Sequence, residues 1–154
     1  MNMKKLDFYS LCKEAARKLE SEKSIVLSTA SGNKVTARTI SHVNDGLKIM
    51  IQTGGNSEKA LQIKENPHVA FAISNIQIEA VATLCGHPLD AQNSHFVERY
   101  KQKFPQYFEA YTNHPDEILL CFQPMKITFY KYINGQPCRD ILDILNQEAY
   151  RTEI

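Results

Sequence analysis

Four side chains in the middle third of the chain have the types and order expected of an anion-binding site. They are the hydroxyl residues Thr53 and Ser57 and the basic residues Arg38 and Lys59. Lys59 lies in the first turn of a helix predicted to start near Ser57, where unpaired N–H groups and the helix dipole favour an acidic residue. A bound phosphate would explain the cation, because helix N–H groups, hydroxyls and basic side chains all donate to phosphate oxygens.

Each of these residues also has a simpler interpretation. Arg38 alone could be a solvated strand residue, and Ser57 could serve only as the N-cap of the helix. Lys59 is harder to explain without a ligand, although an exposed lysine in a first helical turn costs only about 0.3–1 kcal/mol. Residue chemistry alone therefore predicts an anion site in this region and does not identify the anion.

Three predicted strands precede the helix, and the second carries Arg38. "SIVLSTA" and "VTARTISHV" read as a hairpin, and alternation in the second places Arg38 on the face opposite Val35, Ala37 and Thr39. We expect the latter face to pack on the core and Arg38 to face outward. His42 shares the face of Arg38, so a surface position is expected for it as well.

The remaining pattern predicts a small barrel. A turn at Asn44–Gly46 leads into "LKIMIQT", and the helix from Ser57 must end before Pro67. "HVAFAIS", "IQIEAVATLCG" and two segments around Pro124 read as further strands, "LDAQNSHFVERYKQKF" as an amphipathic helix, and residues 138–149 as a terminal helix. The fold class expected is mainly β, a six-stranded antiparallel Greek-key split barrel with peripheral helices, forming one domain over residues 1–154.

Composition restricts the partners. With 18 Lys and Arg against 17 Asp and Glu, the formal net charge is +1, which predicts binding neither to nucleic acid nor to an anionic membrane. No segment has the apolar run of a signal peptide or membrane span, and the four cysteines form no C-x-x-C pair, so we expect a cytosolic protein with reduced thiols. The five histidines show no metal-ligand spacing, and no metal is expected.

The run "VTARTISHVNDGLKIMIQTGGNSEKALQIKENPHVAFAI" resembles the FMN-binding split-barrel superfamily, the pyridoxamine 5′-phosphate oxidase-like proteins. The motif that carries the resemblance is an Arg-x-Ile strand, a hairpin, a strand ending in Thr, and Ser-x-Lys opening a helix that closes with Asn-Pro-x-Val. The matching positions, in order, are Arg38, Ile40, Thr53, Ser57, Lys59, Asn66, Pro67 and Val69.

The resemblance implies an FMN cofactor bound between the two subunits of a homodimer. In that family the Arg, Ser and Lys hold the FMN phosphate, while backbone around the Arg strand and the Thr meets the flavin ring. The cofactor-binding residues implied here are Arg38, Thr39, Ile40, Gln52, Thr53, Ser57 and Lys59.

Two departures argue against oxidation of pyridoxamine 5′-phosphate itself. Glu58 stands where the oxidases usually carry a second phosphate-binding Arg, and the final segment "ILDILNQEAYRTEI" has no basic motif for that substrate. The short stress-protein and nitroimidazole-reductase branches are more similar. They imply an oxidoreductase that moves electrons from NAD(P)H to a small acceptor, or alternatively a non-catalytic flavin or haem carrier or sensor. Other relatives bind a deazaflavin, and the residues assign no catalytic acid or base.

Overall fold

A computed structural model describes residues 3–154, which form a ten-stranded antiparallel sheet with helices at its periphery. The strands are β1 (Met3–Lys5), β2 (Ser24–Ser31), β3 (Lys34–Ser41), β4 (Val43–Asp45), β5 (Lys48–Gly54), β6 (His68–Ile73), β7 (Ile76–Leu84), β8 (Glu117–Ile133), β9 (Gln136–Asp143) and β10 (Glu148–Glu153). The helices are α1 (Phe8–Ser21), α2 (Glu58–Glu65), α3 (Ser94–Lys103) and α4 (Pro105–Tyr111), with a 3-10 turn at Ala91–Asn93 before α3.

The long strand β8 organises the sheet. Its first residues pair with β5, its last residues pair with β9, and most of its length pairs with β7. The register with β7 shifts between Glu79 and Ala80, opposite Pro124, where proline has no N–H to donate to the ladder. The two strands predicted around Pro124 are therefore one irregular strand. Its pairing partner on one side changes from β5 to β9 along its length.

The barrel interior is filled by branched aliphatic and aromatic side chains from both ends of the sheet. Phe71 of β6 and Phe122 of β8 are almost fully buried and pack edge to face, with ring centroids 4.9 Å apart. Helix α1 covers one opening with Leu11 and Leu19, and its N-cap Asp7 accepts a hydrogen bond from the Ser10 N–H at 2.8 Å.

The mainly β, antiparallel barrel with peripheral helices is confirmed, but residues 3–154 contain ten strands rather than six, and the predicted terminal helix at residues 138–149 is wrong. Those residues form most of β9, a turn and the first two residues of β10. The spacing of Ile141, Leu142, Leu145 and Ala149 is that of one helical face, yet Leu145 is exposed in the turn. Strand β9 is hydrogen-bonded on both sides, to β8 and β10, and this tertiary pairing overrides the local helical spacing.

The alternation predicted for β3 is correct, but its assignment to faces is inverted. Arg38 lies opposite Leu27 in the β2–β3 ladder, and Leu27 is fully buried, so Arg38 belongs to the inner side. Val35 is 71% exposed, whereas His42, expected at the surface, is fully buried. Alternation defines two faces, and the register with β2 decides which of them is the inner one.

Two further features concern the chain as a whole. All four cysteines are free thiols, two of them buried. Across residues 3–154, no helix combines the length and the apolar character needed to cross a membrane.

We predict that His42 makes the fold sensitive to acid. Its Nε2 contacts the Leu19 carbonyl at 2.8 Å, and burial, with a smaller effect of Lys103, lowers its pKa from 6.5 to about 4. The unfolded chain therefore binds a proton at a higher pH than the native chain does. Stability should be fully present above pH 6.5 and fall by about 3 kcal/mol as the pH approaches 4.

Urea unfolding between pH 4 and 7 measures this effect. His42→Gln should flatten the pH dependence over that range, whereas His95→Gln, at an exposed position, should leave it unchanged. An identical pH dependence in wild type and His42→Gln would contradict the assignment.

Candidate functional site

The guanidinium of Arg38 is held in a fixed position by hydroxyl groups. Its Nη1 donates to the Leu27 carbonyl at 3.3 Å and to the Thr29 hydroxyl at 2.7 Å, while Nη2 donates to the Thr36 hydroxyl. Both hydroxyls donate in turn to Oε1 of Gln62 in α2, each at 2.6 Å. The hairpin and the helix together therefore fix the orientation of Arg38.

Ser57 caps α2 as predicted and has a hydrogen left for a ligand. Its Oγ accepts from the Ala60 N–H at 3.4 Å and from the Thr53 hydroxyl at 3.1 Å. The Ser57 N–H donates to the Gly54 carbonyl at 3.1 Å, which closes the turn between β5 and α2. Because Ser57 Oγ accepts in both side-chain contacts, its own hydrogen is free to donate.

Lys59 is the cation that the site leaves uncompensated. It is half-buried, and within residues 3–154 its ammonium has neither a hydrogen-bond acceptor nor a carboxylate within 4 Å. Burial lowers its pKa, the charge of Arg38 lowers it further, and Glu117 acts in the opposite direction. A half-buried, unpaired cation is unfavourable, so a bound anion would stabilise it.

Glu58 brings a negative charge to the same place. Its Oε2 accepts a hydrogen bond from Lys34 Nζ at 3.0 Å, and its Oε1 lies 3.9 Å from Arg38 Nη2. The contact with Lys34 lowers the pKa of this exposed carboxyl, which keeps it ionised. At the position where the oxidases usually carry a second phosphate-binding Arg, this chain therefore places a carboxylate beside the guanidinium of Arg38.

The loop before β8 lies against the turn that precedes α2. The Gly55 N–H donates to the Asp116 carbonyl at 2.8 Å, and a Cβ at Gly55 would approach that oxygen to 3.1 Å, so a glycine suits this close contact. Glu117 pairs with Gly54 across the β5–β8 ladder. Burial raises the pKa of Glu117, whereas His114, His87 and Lys59 lower it.

The seven predicted cofactor-binding residues divide into two groups. Arg38, Thr53, Ser57 and Lys59 lie around the start of α2. The Thr39 side chain is exposed on the outer face of β3, Ile40 is buried, and Gln52 accepts a hydrogen bond from Thr112 at 2.9 Å. Within residues 3–154, strand β3 lies at the end of the sheet and pairs only with β2, so its outer backbone groups have no strand partner there.

Sequence reasoning missed the residues that hold Arg38. The tight turn at Gly32–Asn33 was recognisable, and it pairs Thr29 with Thr36 across the ladder, two positions from Arg38. That spacing could have identified the two threonines. Gln62 gave no comparable signal, because a polar residue in a short helix is normally exposed. Among residues 3–154, no group of three His, Cys, Asp or Glu side chains has the arrangement of a metal site.

The chain matches a known protein family in sequence. The sequence profile described as pyridoxamine 5′-phosphate oxidase matches residues 11–131, more than half of the chain. No curated protein matches the chain in sequence.

Solved structures share the fold at low sequence identity. General stress protein 26 from Bacillus anthracis is 16% identical, with a TM-score of 0.64, over 77% of this chain and 92% of that one. A related protein from Clostridium acetobutylicum is 15% identical, with a TM-score of 0.62, over 90% and 97%. HutZ, a haem storage protein from Vibrio cholerae, is 14% identical, with a TM-score of 0.61, over 77% and 91%.

We predict that Gln62→Ala destabilises the protein by about 1–3 kcal/mol, because the buried Thr29 hydroxyl and the partly buried Thr36 hydroxyl lose their shared acceptor. Chemical denaturation measures the change. Gln77→Ala, which removes an exposed amide from β7, is the matched control and should cost less than about 0.5 kcal/mol. Equal effects of the two substitutions would show that the contact is not important for the fold.

Proposed function

The chain belongs to the pyridoxamine 5′-phosphate oxidase family, and from this membership we propose that it is an FMN-binding flavoprotein. The observation that carries the proposal is the half-buried, unpaired Lys59 ammonium beside Arg38 at the start of α2. A phosphate accepts hydrogen bonds from cations, hydroxyls and helix N–H groups, and all three kinds of donor are present here.

The donor set fits the phosphate end of FMN. Lys59 and Ser57 would each supply a free hydrogen, and Arg38 would supply charge and the remaining hydrogen of Nη2. The unpaired backbone edge of β3 at Thr39 and Ile40, with Gln52 and Thr53 at the end of β5, would receive the ring system. When bound, the flavin supplies the electron-transfer chemistry, while these residues bind and orient it.

We further propose a homodimer with the cofactor at the subunit interface. The outer face of β2 and β3 presents apolar and small residues to the surface, including Val26, Val35 and Ala37. These residues are cross-strand neighbours of Thr39, Ala30 and Ser28, so they form one continuous patch. A second copy packed on this patch would cover apolar surface and lie beside the edge of β3 at Thr39.

The activity proposed is the transfer of electrons from NAD(P)H to a small acceptor by a cytosolic enzyme. No side chain is assigned as a catalytic acid or base, so the protein contributes binding, orientation and exclusion of water. The alternative is a flavin or haem carrier or sensor without turnover. It is supported by the fold that the chain shares with a haem storage protein.

We predict that Lys59→Ala weakens FMN binding about 10- to 100-fold and riboflavin binding less than threefold, because the lysine acts on the phosphate. Arg38→Ala should show the same selectivity. Titration of flavin fluorescence measures both affinities. Lys13→Ala, on the exposed face of α1, changes the net charge equally and should affect neither ligand. Equal losses for FMN and riboflavin would contradict the phosphate assignment.

The enzyme and carrier hypotheses differ in the behaviour of the purified, flavin-loaded protein. We expect NAD(P)H to bleach the flavin absorbance and a small acceptor to restore it. Flavin that stays oxidised in excess NAD(P)H would support the carrier, and a Soret band in the purified protein would identify haem instead.

A further inference from the structure

We propose that Glu58 determines which charge of phosphate the site accepts, favouring a singly charged phosphate group over a doubly charged one. The inference rests on the proposed flavin site, since Glu58 affects ligand choice only if a phosphate binds beside Arg38 and Lys59.

The position of Glu58 relative to the donors of Arg38 is the first argument. Both hydrogens of Nη1 are engaged, by the Leu27 carbonyl and the Thr29 hydroxyl, and one hydrogen of Nη2 is engaged by Thr36. Nη2 therefore keeps one hydrogen, and Glu58 Oε1 lies 3.9 Å from this nitrogen. A phosphate that binds Nη2 must approach close to a carboxylate of the protein itself.

Lys34 holds Glu58 in this place. It lies just after the β2–β3 turn, and its Nζ contacts Glu58 Oε2 at 3.0 Å. This contact is shorter than the one between Glu58 and Arg38, so the carboxylate pairs mainly with Lys34 and still faces the site. Lys34 is largely exposed, and its charge is correspondingly screened by solvent.

The balance of charges is the second argument. Arg38 and Lys59 supply two positive charges and Glu58 supplies one negative charge, which leaves a single positive charge at the site. Three neighbouring groups count for less: Lys34 and Lys64 are exposed and screened by solvent, and burial raises the pKa of the Glu117 carboxyl. A phosphate diester, with one negative charge, neutralises that excess. A monoester such as FMN carries between one and a half and two negative charges near neutral pH, so part of its charge stays uncompensated beside Glu58.

A series of three flavins with different charges tests the proposal. Riboflavin is neutral, riboflavin 4′,5′-cyclic phosphate has one negative charge, and FMN at pH 8 has about two. Glu58→Gln should leave riboflavin affinity unchanged, tighten the cyclic phosphate about threefold and tighten FMN about tenfold, because repulsion scales with ligand charge. At 0.5 M salt these gains should shrink.

Glu65→Gln is the matched control. It removes the same charge from the same helix at an exposed position, but at the far end, where Glu65 interacts with Ser31. Its effect should be less than about twofold for all three flavins. Thermal unfolding of each variant verifies that the fold is retained, which is expected because Glu58 is exposed.

The outcomes separate this inference from the proposed function. If wild type binds FMN and Glu58→Gln changes the three affinities equally or not at all, the role of Glu58 is overturned and the flavin site stands. If neither wild type nor Glu58→Gln binds any of the three flavins, both proposals are overturned. A graded gain that follows ligand charge supports both.

Discussion

The side-chain amide oxygen of Gln62 connects the two parts of the candidate site, the β2–β3 hairpin and the helix α2. It accepts hydrogen bonds from Thr29 and Thr36, and these hydroxyls accept from Arg38. Each hydroxyl has one hydrogen, so directing it to Gln62 leaves its lone pairs for the guanidinium. The same oxygen attaches α2 to the β2–β3 hairpin, which places the start of the helix beside Arg38. The position of the cation and the position of the helix N-terminus thus depend on one shared contact.

This arrangement concentrates positive charge that the chain only partly balances. Burial lowers the pKa of both Arg38 and Lys59, and the charge of Arg38 lowers the pKa of Lys59 further. Structural ion pairs in this protein look different. Asp140, for example, is almost fully buried and accepts from Arg151 at 2.7 and 2.9 Å and from Lys131 at 2.9 Å. The charges of the Asp140 network are paired within the protein, whereas Lys59 has no partner within residues 3–154. This contrast favours a ligand at Lys59 rather than a structural role for it.

Much of the fold and part of the candidate site could be predicted from the sequence. The predictions that failed did so for physical reasons. Turn residues and alternation predict the first strands, and the Ser57 cap and Pro67 define α2, because these signals are local. The prediction that Arg38 faces outward was wrong, because only the register with β2 determines which face of β3 is the inner one. The C-terminal strands were missed because β9 is stabilised by its neighbours β8 and β10. Gln62 was missed because its burial exists only once the helix docks.

The placement of histidines bears on the choice between flavin and haem. A haem needs an axial ligand, and a histidine nitrogen with a free lone pair is the usual one. His42 is the histidine of the β3 segment, but its ring is fully buried and Nε2 contacts the Leu19 carbonyl. His87 has both ring nitrogens engaged, with the His114 carbonyl and the Leu89 N–H. His42 and His87 are therefore poorly placed as iron ligands, whereas the hydroxyls and basic side chains at the start of α2 are already arranged as donors to an anion. These donors suit a phosphate group, while the fold itself is shared with a haem storage protein and does not identify the ligand.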